Sequence, residues 1–181
     1  MYATLREICN SSGNEYCNQI AAILRILTNH DVHCSVKKRT GSSDEMIVSL
    51  YRVNRSSENG RQPSTNYRYG DNTSLSNIID EKESFFICNN LYEYDSEHGY
   101  KNKSHDWRKY YDAVLIVPIY DPWQPIRNER IWGFICADNY GGGFDVSQID
   151  LISSFGTMFV QLDKIECEAN NIAKIRLAAS A

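Results

Sequence analysis

No stretch of this chain reaches the roughly 18 consecutive apolar residues that a membrane-spanning helix needs, and the N-terminus lacks the basic and apolar segments of a secretory leader. No membrane part is expected in it. The 181 residues carry 19 Lys and Arg against 23 Asp and Glu, a formal net charge of −4. Without a basic excess there is no electrostatic case for nucleic acid or an anionic membrane as partner. The six cysteines, Cys9, Cys17, Cys34, Cys88, Cys136 and Cys167, include no Cys-x-x-Cys pair, which removes the strong signal for a zinc ribbon or a thioredoxin-like redox site. Cys17, Cys34, Cys136 and Cys167 fall in apolar or periodic segments, where a free thiol acts as a small core hydrophobe. A reducing, cytoplasmic location is the simpler expectation.

Catalytic and metal motifs are equally scarce. There is no recognisable serine or cysteine nucleophile motif, and Gly141, Gly142 and Gly143 lack the lysine and the spacing of a phosphate loop. They read as a flexible turn. His30 and His33, with Asp31 and Cys34, sit at a helix-to-strand junction without a second ligand pair to close a tetrahedral site. No metal is expected, and the sequence names no cofactor.

What is present centres on Tyr110 to Phe155. Two apolar runs, Ala113 to Ile119 and Ile131 to Ala137, are separated by a loop carrying Pro122 and Pro125, which predicts strand, connection, strand. Asp138, Asn139 and the glycines follow, and then Asp145 and Gln148 form a capping-box pattern opening a closing helix. Its stripe of Ile152, Phe155, Phe159 and Leu162 continues through Ile165, Ala169, Ile172 and Ile175, a helix of about 30 residues or roughly 45 Å. Such a protruding amphipathic helix suits a homodimer or a connection to a further module.

Upstream, Tyr2, Leu5 and Ile8 predict a short helix or arm ending in the breaker run Asn10 to Gly13. Cys17, Ile20, Ala21, Leu24 and Leu27 then predict an amphipathic helix from Asn14 to about Asn29. Val32, Cys34 and Val36 alternate with His33, Ser35 and Lys37 as in a strand with one wet face. Met46 to Val53 predicts its hairpin partner, and Arg55 to Asn66, with Gly60 and Pro63, a surface loop. A short capped helix is expected between Thr73 and Asp80, a brief strand at Phe85 to Cys88, and a long loop over residues 92–109, whose length points to function.

The segments VLIVPI, WGFICADN and SFFICNNL (Ser84 to Leu91), with YKNKSHDWRKYY leading into the fourth strand, resemble the GAF domain over residues 14 to about 165, SFFICNNL standing where that family has its third strand. The likeness is to bacterial GAF-type sensor modules, with residues 1–13 as an arm and 166–181 as a helical extension. It implies an α+β fold: a six-stranded antiparallel sheet with terminal helices packed on one face and a ligand chamber on the other, under a short helix and loops. Members bind cyclic nucleotides, tetrapyrroles, haem or small metabolites, so the resemblance implies a sensory role without naming the ligand.

On that frame the chamber is expected to draw on Tyr69, Asn72, Thr73 and Asn77 near the short helix and on Phe86, Cys88, Asn89 and Asn90 at the brief strand. The loop and next strand add Tyr100, Asn102, Trp107, Tyr110, Tyr111, Val114 and Ile116. Aromatic walls and amide edges suit a planar heterocycle such as a purine. The same aromatics serve equally as plugs, and the asparagines as turn caps, which leaves an interaction domain with a filled, degenerate chamber as the alternative. Arg68, Lys101 and Arg108 are weak phosphate candidates. Some GAF-fold proteins reduce free methionine sulfoxide with cysteines; Cys88 keeps that reading open, but it needs a second thiol in reach, and Cys136 reads as core. Bilin attachment is disfavoured, since residues 89–112 hold no cysteine.

Overall fold

The computed structural model describes residues 2–40, 46–53, 66–103, 106–124 and 130–179. The loop expected from Arg55, together with His105 and Pro125, lies outside them. In chain order the elements are α1 (Tyr2–Thr28), β1 (His33–Thr40), β2 (Met46–Arg52), β3 (Asn66–Arg68), α2 (Thr73–Ile79), β4 (Phe86–Cys88), α3 (Leu91–His98), a 3-10 turn (Trp107–Lys109), β5 (Ala113–Tyr120), β6 (Ile131–Asn139), α4 (Ser147–Ser153) and α5 (Gly156–Ala179). The strands form one antiparallel sheet in the order β3-β2-β1-β6-β5-β4. No helix among the described residues is long and apolar enough to cross a membrane.

The run in β5 is continuous because both of its faces are covered. Leu115, Val117 and Ile119 pack with Ile20 and Leu24 of α1 and with Ile152, Phe159 and Val160 of α4 and α5. Val114 and Ile116 face the other way, into a second apolar cluster with Phe86, Trp107 and Phe134. The expected arrangement therefore holds: terminal helices on one face, short helices and connecting segments on the other.

Several local expectations give way to tertiary packing. The breaker run does not break α1, which passes unbroken through Asn10 to Gly13. Gly13 lies against the Tyr51 ring, so closely that a Cβ there would overlap it, and the Asn14 side chain accepts from Arg52 N at 3.0 Å. Packing on β2 outweighs the roughly 1 kcal/mol that a helix-interior glycine costs. The third strand is Asn66–Arg68, and SFFICNNL supplies the fourth instead; three residues are too few to show a period. The closing helix is interrupted at residues 154 and 155, leaving α5 with 24 residues. The expected capping box is not made: the Asp145 side chain accepts from Ser147 N at 2.8 Å, two residues on, and the Gln148 side chain turns back to Gly143 O at 3.2 Å.

A polar cross-link joins β1 and β6 to α5. Lys38 Nζ holds both Asp163 oxygens at 2.7 and 2.6 Å, and Trp132 Nε1 donates to the same carboxylate at 3.1 Å.

Candidate functional site

The floor is the sheet face turned away from the terminal helices. Phe86 pairs with Ile116 and Ile116 with Cys136; Cys88 pairs with Val114 and Val114 with Asp138. Residues opposite one another across antiparallel strands share a face, so these form two adjoining rows. Leu75 and Ile78 of α2 cover part of them. Aromatics from the segment after α3 cover the rest. Tyr100 stacks on Phe86 with centroids 6.4 Å apart, Trp107 meets Tyr100 edge-on at 5.4 Å, and Tyr111 lies 5.9 Å from Trp107.

This roof is pinned to the start of α2. Asn72 caps the helix by accepting from Leu75 N at 3.1 Å and bridges to Asn102. Thr73 N donates to Lys101 O at 3.0 Å, and Lys101 N donates to Thr73 Oγ1 at 2.8 Å. Ser74 Oγ donates to the Tyr100 hydroxyl at 3.2 Å, and Asn102 Nδ2 donates to the Tyr111 hydroxyl at 2.7 Å. Burial pushes the Tyr100 phenol up to about 12, so it stays neutral and available as donor and acceptor. The expected long loop is thus partly helical, with α3 and the 3-10 turn inside it, and its aromatic side chains occupy the chamber.

At its outer edge this roof leaves a cleft of about 430 Å³, lined by Gly70, Asp71, Tyr100, Lys101, Asn102, Lys103, Trp107 and Arg108. Three cations and one carboxylate border it. Lys103 lies 3.8 Å from Asp71, and Arg108 pairs with Asp95 while its guanidinium sits 4.5 Å over the Trp107 ring. The cleft is therefore aromatic at its base and cationic at its rim.

Of the expected chamber residues, the structure gathers Asn72, Phe86, Cys88, Tyr100, Asn102, Trp107, Tyr111, Val114 and Ile116 around this cluster, with Thr73 at its rim and Tyr110 packed on its side. Tyr69 is exposed and donates to Asp80. Asn77 bonds Glu83, and Asn90 caps α3 by accepting from Glu93 N. Asn89 exchanges two hydrogen bonds of 2.9 Å with the backbone of Phe144. That last contact explains the glycine run: with φ of +98°, +78° and +80°, Gly141, Gly142 and Gly143 wrap tightly against His30, Asn89 and Thr28, a packed joint where a flexible turn was expected.

Sequence reasoning missed Ser74 and the cleft residues Gly70, Asp71 and Lys103. It also took His33, Ser35 and Lys37 for a solvent face. All three are buried and lie on the chamber side, opposite Asp138, Cys136 and Phe134. His33 Nδ1 is 3.5 Å from Asp138; Asp31 bonds Arg25 at 2.7 Å. Among the described residues no group of three or more His, Cys, Asp or Glu side chains is placed to hold a metal.

The cysteines bear on catalysis. Cys88 and Cys136 lie on β4 and β6 with β5 between them, about 9.6 Å apart by strand spacing alone, which exceeds the roughly 7 Å that a disulfide spans between Cα atoms. Burial raises both thiols, Cys136 to about 11, which opposes the thiolate a nucleophile needs. They do not form an attacking and resolving pair. Cys167, expected in the core, is exposed on α5, and the other five thiols are buried. An aromatic disulfide reagent at about pH 8 is therefore expected to modify one thiol rapidly in the folded protein and the rest only on unfolding. Cys167→Ser should abolish the fast phase; a fast phase that survives it would show another thiol to be accessible.

At the level of sequence the chain matches no protein-family model and no curated protein. Its likeness is in the fold. It superposes on the GAF domain of an Acinetobacter phosphoenolpyruvate-protein phosphotransferase with a TM-score of 0.57 at 13% identity, over 94% of this chain and 93% of that one. A type II free methionine-R-sulfoxide reductase from Thermoplasma acidophilum matches with a TM-score of 0.54 at 15% identity, over 87% of this chain and 93% of that one. The chromophore-binding domain of a bacteriophytochrome from R. palustris gives 0.55 at 13% identity, over 93% of this chain and 60% of that one. At such identities the likeness establishes architecture and leaves chemistry to the residues.

Proposed function

Starting from a GAF-type fold with an aromatic chamber and a cationic cleft at its edge, we propose that this chain is a non-catalytic sensory domain that binds a small acidic ligand of nucleotide-like shape. The observation that carries this reading is the cleft itself, where Lys101, Lys103 and Arg108 border the base formed by Tyr100 and Trp107. A ring stacks on the aromatic base, and the positive rim favours a ligand that carries an acidic group. The setting is cytoplasmic. Signal leaves through the terminal helices of a homodimer: Ile165, Ile172 and Ile175 are exposed on α5, beside an α1 that reaches it through the Arg6–Glu166 pair at 3.2 Å.

A panel of nucleotides, amino acids and tetrapyrroles tests the binding. A ligand at 100 times its dissociation constant should stabilise the fold by about 2.7 kcal/mol and alter Trp107 fluorescence. Replacing Ile165 and Ile172 together by Asp should halve the mass seen by light scattering; an unchanged mass would remove the helical interface.

A second reading has its own support. The stacked Phe86, Tyr100, Trp107 and Tyr111 fill the chamber as a core does, which suits a dimerisation domain without ligand. Stability and fluorescence indifferent to every ligand in the panel, with the dimer intact, would select it.

A further inference from the structure

On the sheet's chamber face, one strand over from the aromatic rows, stands a buried lysine that has no carboxylate partner among the described residues. Lys37 is only 9% exposed. Its Nζ donates to Ser49 Oγ at 3.3 Å and lies 4.7 Å from the centre of the Tyr67 ring, and no acidic side chain among the described residues forms an ion pair with it. A lysine ammonium has three donors, and lysine is rarely buried unless paired with an opposite charge. Among the described residues, one hydroxyl and one ring face leave it short of partners.

Its surroundings are polar as well. Ser35 and His33 follow on the same face of β1, with Cys136 and Asp138 opposite them on β6. Lys37 is near enough to Cys136 to offset part of the burial that raises that thiol, and Cys136 in turn acts on the buried Tyr100 phenol. Lys37 and Cys136 thus stand close together on the sheet face that carries the aromatic rows. The register of β1 on β2 shifts beside Lys37, with the extra residue, Leu50, on β2, so the bulge falls in the strand that brings Ser49 to the Lys37 ammonium. Lys38, the next residue, points to the opposite face and holds Asp163 of α5.

We propose that Lys37 anchors the acidic group, a carboxylate or a phosphate, of the ligand this domain senses, a step that rests on the sensory reading above. Occupancy at Lys37 acts on the strand whose following residue grips α5, so one peptide unit joins the ligand to the output helix.

Inorganic phosphate, titrated into the full chain at constant ionic strength, is the probe. A saturable rise in melting temperature is expected in the unaltered protein, with an apparent affinity at least tenfold weaker in Lys37→Met and unchanged in Lys109→Met, which removes an exposed charge. In the unaltered protein, amide shifts in nitrogen–proton spectra should centre on Lys37, Ser49 and Tyr67, a readout that needs no variant to fold. Shifts centred on Lys101 to Lys103, or a response that survives Lys37→Met, would overturn the anchor and leave the sensory reading standing. Absence of any saturable response to phosphate would overturn the anchor too, while the ligand panel decides the sensory role separately.

Discussion

Replacing Trp107 by alanine is expected to cost about 3–5 kcal/mol of unfolding free energy, the range for truncating a large buried aromatic. Trp107 is 2% exposed and touches most of the roof: Tyr100 at 5.4 Å, Tyr111 at 5.9 Å and Tyr92 at 5.6 Å between centroids. Against a total stability of about 5–15 kcal/mol, that loss is severe, and urea denaturation of the variant reads it directly. The cavity left behind is apolar, and such cavities take up small aromatic molecules. Indole should therefore restore part of the melting temperature in Trp107→Ala while leaving the unaltered protein untouched. A cost below about 1 kcal/mol, far under the range for a packed aromatic, would mean that the roof is not packed around this ring. The sensory and the filled-chamber readings would both need revision.

Gly133→Ala is expected to cost about 2 kcal/mol. Adding a methyl group in a strand ordinarily returns 0.5–1 kcal/mol in backbone entropy, by the rough scale for glycine. Here a Cβ would overlap the Lys37 carbonyl oxygen and approach Lys38 Cα at 3.1 Å and Lys37 C at 3.2 Å. Overpacking costs about 1–3 kcal/mol, and the upper part of that range applies because the obstruction is backbone, which cannot rotate aside as a side chain does. Overpacking wins. Since Gly133 pairs with Lys38, the strain falls on the junction of β1 and β6 that also positions Asp163. Hydrogen exchange should show faster opening at the amides of residues 37 and 38, together with the lower midpoint in urea. A neutral variant with unaltered exchange would show that the two strands have room to part.

Trp107 and Gly133 bear on one path. Trp107 and Tyr100 line the cleft, Lys37 and Cys136 share the chamber face of the sheet, and Lys38 turns to the opposite face to meet α5. Coupling between ligand and terminal helix requires that the ligand favour one arrangement of those helices over another. The Lys38–Asp163 pair, joined by Trp132, is a polar contact between β1 and α5 through which that preference can act.

Residue patterns by themselves determined the parts of this protein whose environment is uniform along their length. The runs in β5 and β6 read as strands because both faces are buried, and the stripe Cys17, Ile20, Ala21, Leu24 reads as a helix because one side meets the sheet throughout. Asn72 reads as a cap because its bond to Leu75 N is local. These are short-range or periodic effects, and composition carries them.

Tertiary structure alone decided what depends on distant partners. Whether Gly13 ends a helix or admits a ring is settled by Tyr51 arriving from β2. The alternation of His33, Ser35 and Lys37 is the same for a strand facing water and one facing a chamber, and only the covering segments distinguish them. The break before Gly156 places α5 against Ile119, and the aromatics after α3 fold inward because Asn72, Thr73 and Ser74 on another element hold their backbone and hydroxyls. A sequence records the preferences of each residue for its own backbone; burial and pairing belong to the residue together with whatever the fold brings to it.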